Sequence, residues 1–142
     1  MVGTFSAGMI EFEKSRNMGP IVAAGCKAVA NFVSSKESAT VRFIRTSAKL
    51  LARGADEKSG CYRSFSEFAE ERGKKNTITT FKHNRFNILF HDGAAVFDLH
   101  PTIIEFLEEV HGCTNSLMTA VLNDAKETFC VAGARALGAI CL

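Results

Sequence analysis

Arg42, Arg45, Lys49 and Arg53 recur at helical spacing and form the strongest chemical pattern in the chain. One helix face of guanidinium and ammonium groups neutralises several phosphates and releases their counterions, which is the chemistry of nucleic-acid binding. Lys74, Lys75, Lys82 and Arg85 make a second basic cluster, and the eight residues together are the candidate DNA-binding set. The competing reading is a solvated face paired with acids from elsewhere in the chain. Residues 1–85 hold 15 Lys and Arg against 8 Asp and Glu, a balance of +7, whereas residues 86–142 hold 2 against 7, a balance of −5. Such asymmetry fits either a nucleic-acid face or two halves that attract each other in the fold.

Other chemistry finds less support. His83, His91, His100 and His111 share one half with Asp92 and Asp98, but no histidine pair has the i, i+4 spacing of a helical metal motif. Glu105, Glu108 and Glu109 recur at i, i+3, i+4, the pattern of a solvated helix face. Gly133-Ala134-Arg135-Ala136-Leu137-Gly138 has the glycine spacing of a phosphate loop, yet Ala139 and Ile140 stand where Lys and Ser/Thr would hold phosphate and magnesium. It reads as a close helix-packing surface. Cys26, Cys61, Cys113, Cys130 and Cys141 contain no Cys-x2-4-Cys pair, so they signal neither a disulfide framework nor a zinc finger and read as small buried hydrophobes. The expectation is a non-enzyme with no catalytic residues, no metal and no cofactor.

The elements that must position the basic residues are helical. Gly19 to Ser35 opens with Gly19-Pro20 and continues with Ile21, Ala24, Ala28 and Phe32 at helical spacing. Val41, Ile44, Ala48 and Leu51 make an apolar stripe beside the basic one, with Ser38 as N-cap and Gly54 as stop. Residues 54–62 read as a loop. Ser64 and Glu67 match a capping box for a short helix reaching Gly73, and Ile78 to Phe81 suits a loop or one short strand. Asn84 to Leu99 reads as a helix that His100-Pro101 interrupts, followed by Thr102 to Val110 ending at Gly112. Two further helices follow, one from Asn115 and one from Lys126.

The last helix is still apolar at Leu142, which suggests a single domain over 1–142 truncated at its C-terminus. Its apolar stretch from Phe129 spans 14 residues and contains Arg135, short of the roughly 20 a membrane span needs. With no basic region ahead of Glu11 and Glu13 to suggest a secretory signal, the expected setting is intracellular, nuclear or cytoplasmic. The fold class expected is mainly α, a compact bundle of about seven helices with at most one short strand.

The order of features resembles the middle and insertion region of hAT-type transposases. Cys26-Lys27-Ala28-Val29 looks like that family's Cys-x-x-His element at a helix start, with Val29 in place of histidine. Arg85-Phe86 within NRFNILF looks like its Arg-Trp dipeptide opening a long helix, with Phe86 in place of tryptophan. The similarity runs from about Gly19 to Leu107. It implies a ribonuclease H-like domain with a helical insertion, whose three catalytic acids would fall outside this chain. The function so implied is that of a catalytically incomplete, domesticated transposon fragment that binds DNA and oligomerises through its C-terminal helices. The alternative is a helical protein-protein interaction module with no nucleic-acid role, its positive half packed on its negative half.

Overall fold

The computed structural model describes residues 39–54, 60–80, 85–110 and 116–140, and the Gly19–Ser35 helix, the Ser38 cap and the Cys26 element lie outside them. Among the described residues there are five α-helices, one π-helical turn and no strand. They are α1 (Ala39–Leu51), α2 (Tyr62–Glu71), α3 (Arg85–Glu105), α4 (Ser116–Lys126) and α5 (Thr128–Ile140), with the π-helical turn at Phe106–Val110. No helix among these residues is long and apolar enough to cross a membrane.

Helix α1 is the axis of the structure, packed by α2, α3, α4 and α5. The two-faced pattern predicted for it is therefore corrected. Phe43, Ile44, Leu50 and Leu51 are fully buried, and so are Thr46 and Ser47 on the remaining sides. Thr46 tolerates this position because it bonds back to its own helix: its Oγ1 donates to Arg42 O at 2.8 Å and lies 3.2 Å from Phe43 O. Among residues 40–51 only Lys49 is exposed.

Helix α2 starts two residues before its predicted cap. Cys61, which precedes it, donates its backbone N–H to Leu50 O at 2.8 Å, and this tie to the end of α1 places the helix start ahead of Ser64. At its other end Gly73 has φ +73°, and the Gly73 and Lys74 amides bond to Glu70 O and Ala69 O. That pair of bonds closes a Schellman motif, which needs a left-handed residue at this point.

Residues 74–80 have no regular structure and form a strap held by side chains. Asn76 Nδ2 donates to Leu51 O (2.8 Å) and Ser66 Oγ (3.0 Å), while its Oδ1 accepts from the Ile78 amide (3.2 Å). The strap thereby joins α1 to α2 and drives Ile78 into the core.

Pro101 does not break α3, which runs through it as a single helix of 21 residues. A proline lacks the N–H that would bond the carbonyl four residues back. His100 fills that place, its Nδ1–H donating to Phe97 O at 2.6 Å. The helix then widens into the π-helical turn, where adjacent Phe106 and Leu107 are both buried. Phe106 receives Phe65 and Phe68 of α2 edge-on, each with ring centroids 5.4 Å away.

Helices α3 and α5 approach each other closely. A Cβ on Gly138 would stand 2.6 Å from Ala94 Cα, and one on Gly93 would stand 3.0 Å from Ala134 O. Gly133 meets α1 in the same way, its missing Cβ falling 2.2 Å from Thr40 Oγ1. The Gly133–Gly138 segment is thus the helix-packing surface expected of it.

Candidate functional site

The first residue of the predicted basic face is buried. Arg42 is 3% exposed, and its Nε and Nη2 donate to Asp124 Oδ2 and Oδ1 at 3.0 and 2.9 Å. Asp124 is itself 1% exposed on α4. This fork-to-carboxylate pairing satisfies both charges inside the core and leaves Arg42 no surface to offer a phosphate. Burial pushes the Asp124 carboxyl above its ordinary pKa, and the hydrogen bonds and charge of Arg42 act against that rise.

The rest of the candidate set divides. Arg45 is half-buried, while Lys49, Arg53 and Lys75 are exposed. Lys74 is exposed but bonded to Asp98 of α3 at 3.1 Å. Lys82 lies outside the described residues, and Arg85 lies on α3 with its side chain outside them. The eight cations accordingly do not form one face: Arg42 points into the core, and Lys74 is engaged across to α3.

A cation that the candidate set omits completes the pattern. Arg72 donates through Nη2 to Glu105 Oε1 at 2.8 Å and lies 3.4 Å over the Phe68 ring. The hydrogen bond from Arg72 holds the Glu105 carboxyl below the usual carboxylate range. Arg42–Asp124, Arg72–Glu105 and Lys74–Asp98 each join a cation from the basic half to an acid from the acidic half. Charge balance by halves is the signal that anticipates such pairing, though it does not say which residues meet.

Asp92 is the second buried acid. It lies on α3 between Leu89 and Val96, fully buried, with Oδ1 accepting from both the amide (2.9 Å) and the hydroxyl (3.0 Å) of Thr79. Its Oδ2 is buried without a hydrogen-bond partner. Burial pushes this carboxyl up to about 6, against the two Thr79 bonds and the charge of His91. Beside it, His91 Nε2–H donates to Thr77 O at 2.9 Å.

An open groove of about 350 Å³ runs between α3 and the α4–α5 junction, lined by His100, Ile104, Ala125, Lys126, Thr128 and Val131. Lys126 is bonded there to Glu108 of the π-helical turn. Among the described residues no three His, Cys, Asp or Glu side chains come together to hold a metal ion. His91 and His100 are committed to backbone carbonyls, His83 and His111 lie outside the described residues, and Cys61 and Cys130 are buried. Comparison of the chain with known protein families, with curated proteins and with solved structures finds no match.

Proposed function

We propose that this chain is a helical protein-interaction module whose basic half serves mainly to hold its own acidic half. The observation that carries this reading is the buried Arg42–Asp124 pair, which takes the leading cation of the candidate stripe into the core. Arg72–Glu105 and Lys74–Asp98 support it from the surface. A face that binds nucleic acid keeps its cations in water, where they can exchange counterions for phosphates.

A second reading, a catalytically incomplete transposase-derived fragment that contacts DNA, is favoured by exposed Lys49, Arg53 and Lys75. The position of Arg85-Phe86 on the first turn of the 21-residue α3 also speaks for it. Fluorescence anisotropy with a short labelled duplex across a salt series separates the two, run beside Lys49→Glu/Arg53→Glu/Lys75→Glu. The interaction-module reading expects no binding at low salt by the folded chain. Affinity that falls steeply with salt and disappears in the triple variant would overturn it, with the slope giving the number of phosphates neutralised. Sedimentation of the same samples reports self-association, the oligomer contact that either reading allows through the C-terminal helices.

A further inference from the structure

We propose that the groove between α3 and the α4–α5 junction binds a small amphipathic carboxylate, its apolar tail on Ile104, Ala125 and Val131 and its anionic head on Lys126 and Thr128. The groove's volume, about 350 Å³, stands at the lower end of the range for small-ligand pockets. Its floor is apolar. Ile104 and Val131 are half-buried side chains at the edge of the core, and a hydrocarbon tail laid across them removes their remaining surface from water. His100 makes a fixed wall, its ring stacked on Phe97 with centroids 5.6 Å apart and its Nδ1–H committed to Phe97 O. A wall held in place before the ligand arrives lowers the ordering cost of binding.

Charge selects the head. Residues 86–142 contain 7 acids and 2 cations, yet the groove is lined by one of those cations, Lys126, and by no acid. Glu127, between Lys126 and Thr128 in the chain, is not part of the lining. Lys126 gives one of its three ammonium donors to Glu108, which leaves two among the described residues. That pair lies at the surface, its side chains 49% and 38% exposed, where such pairs hold each other weakly and share a donor readily with an incoming carboxylate. The Thr128 hydroxyl, exposed and unbonded among the described residues, adds a further donor. The site is separate from Lys49, Arg53 and Lys75, which stand on α1, just past its end and on the strap, so its occupancy does not depend on whether the chain contacts DNA.

Methyl NMR of the full chain at constant neutral pH and ionic strength tests the site, with titrations of acetate, hexanoate, octanoate and octylammonium. Octanoate should shift the methyls of Ile104, Ala125 and Val131 saturably and leave those of Leu50, fully buried in α1, unmoved. Affinity should rise by up to about 4-fold for each added CH2 from acetate toward octanoate. Octylammonium, the same tail with the opposite charge, should bind about 10-fold more weakly or worse, and Lys126→Met should cost about 10-fold in octanoate affinity. Three results in the unsubstituted chain each overturn the proposal: no saturable shift at the groove methyls, shifts that Leu50 shares equally, or equal affinity for octanoate and octylammonium. An unchanged octanoate affinity in folded Lys126→Met overturns the placing of the head on Lys126.

Discussion

Replacing Gly138 by alanine should destabilise the chain, although the same change in an exposed helix stabilises it. Helix propensity alone favours alanine by about 1 kcal/mol. The new methyl, however, would fall 2.6 Å from Ala94 Cα and 2.8 Å from Ala94 N and Cβ, where ordinary contact needs 3.4 Å or more. Two of those three atoms are backbone, so no rotamer change relieves the clash, and α3 and α5 must part by roughly 1 Å. A gap of that size forfeits about a quarter to a half of each dispersion contact across the seam. The seam includes the fully buried Ala134 and Leu137, together with Gly93. Overpacking of this kind costs about 1–3 kcal/mol, and after the propensity gain a net loss of about 1 kcal/mol remains. Urea unfolding followed by far-UV circular dichroism measures it, a suitable probe for a chain without tryptophan. Ala136→Gly, at an exposed position of the same helix, calibrates the propensity term and should itself lose about 1 kcal/mol. A Gly138→Ala variant more stable than the parent would refute the packing argument.

Further substitutions probe the buried and half-buried polar groups. Arg42→Met leaves Asp124 buried and uncompensated and should cost about 3–5 kcal/mol in urea unfolding, while Arg42→Met/Asp124→Leu should recover most of the loss. Asp92 has its folded pKa raised from 3.8 to about 6, so its contribution to stability is fully present below pH 3.8 and is lost as pH rises through 6. Asp92→Asn should therefore be more stable than the parent at pH 7.5, by at most about 3 kcal/mol, with the difference shrinking toward pH 4 in parallel denaturation series. Asn76→Ala removes three hydrogen bonds, one of them to Leu51 O at the end of α1, so thermal unfolding should report a loss of about 1–3 kcal/mol.

Much of the helical content is legible from periodicity, and the reasons for the exceptions are local. Ile44, Ala48 and Leu51 are buried as their spacing requires, because apolar side chains leave water whatever the partner. Arg42 looks identical to Arg45 or Lys49 in a linear pattern, since its partner Asp124 is 82 residues away and only the assembled fold brings them together. Thr46 and Ser47 look solvent-facing for the same reason, although short hydroxyl side chains fit a helix surrounded on every side. The Pro101 interruption fails because His100, one residue earlier, supplies the donor that proline lacks. Ser64 and Glu67 have the spacing of a cap, but the Cys61 amide had already found Leu50 O. The Gly133–Gly138 surface was legible because glycine at helical depth has few uses other than close approach. In the sequence Asp92 is only one of the acids that share a half of the chain with the four histidines, and neither its Thr79 partner nor its unbonded oxygen leaves a trace in spacing.

The central place of α1 also governs when the protein can fold as it is synthesised. Its packing partners α3, α4 and α5 all follow it along the chain. At ordinary translation speeds of roughly 5–20 residues per second, the 82 residues from Arg42 to Asp124 take roughly 4–16 s to make. Until α3 is made Phe43, Ile44, Leu50 and Leu51 have none of those later helices to cover them, and to the end of the interval the guanidinium lacks its Asp124 carboxylate. Chaperones that shield apolar segments have a window of seconds in which to act on α1. Among the described helices, the one around which the others are organised waits longest for its neighbours.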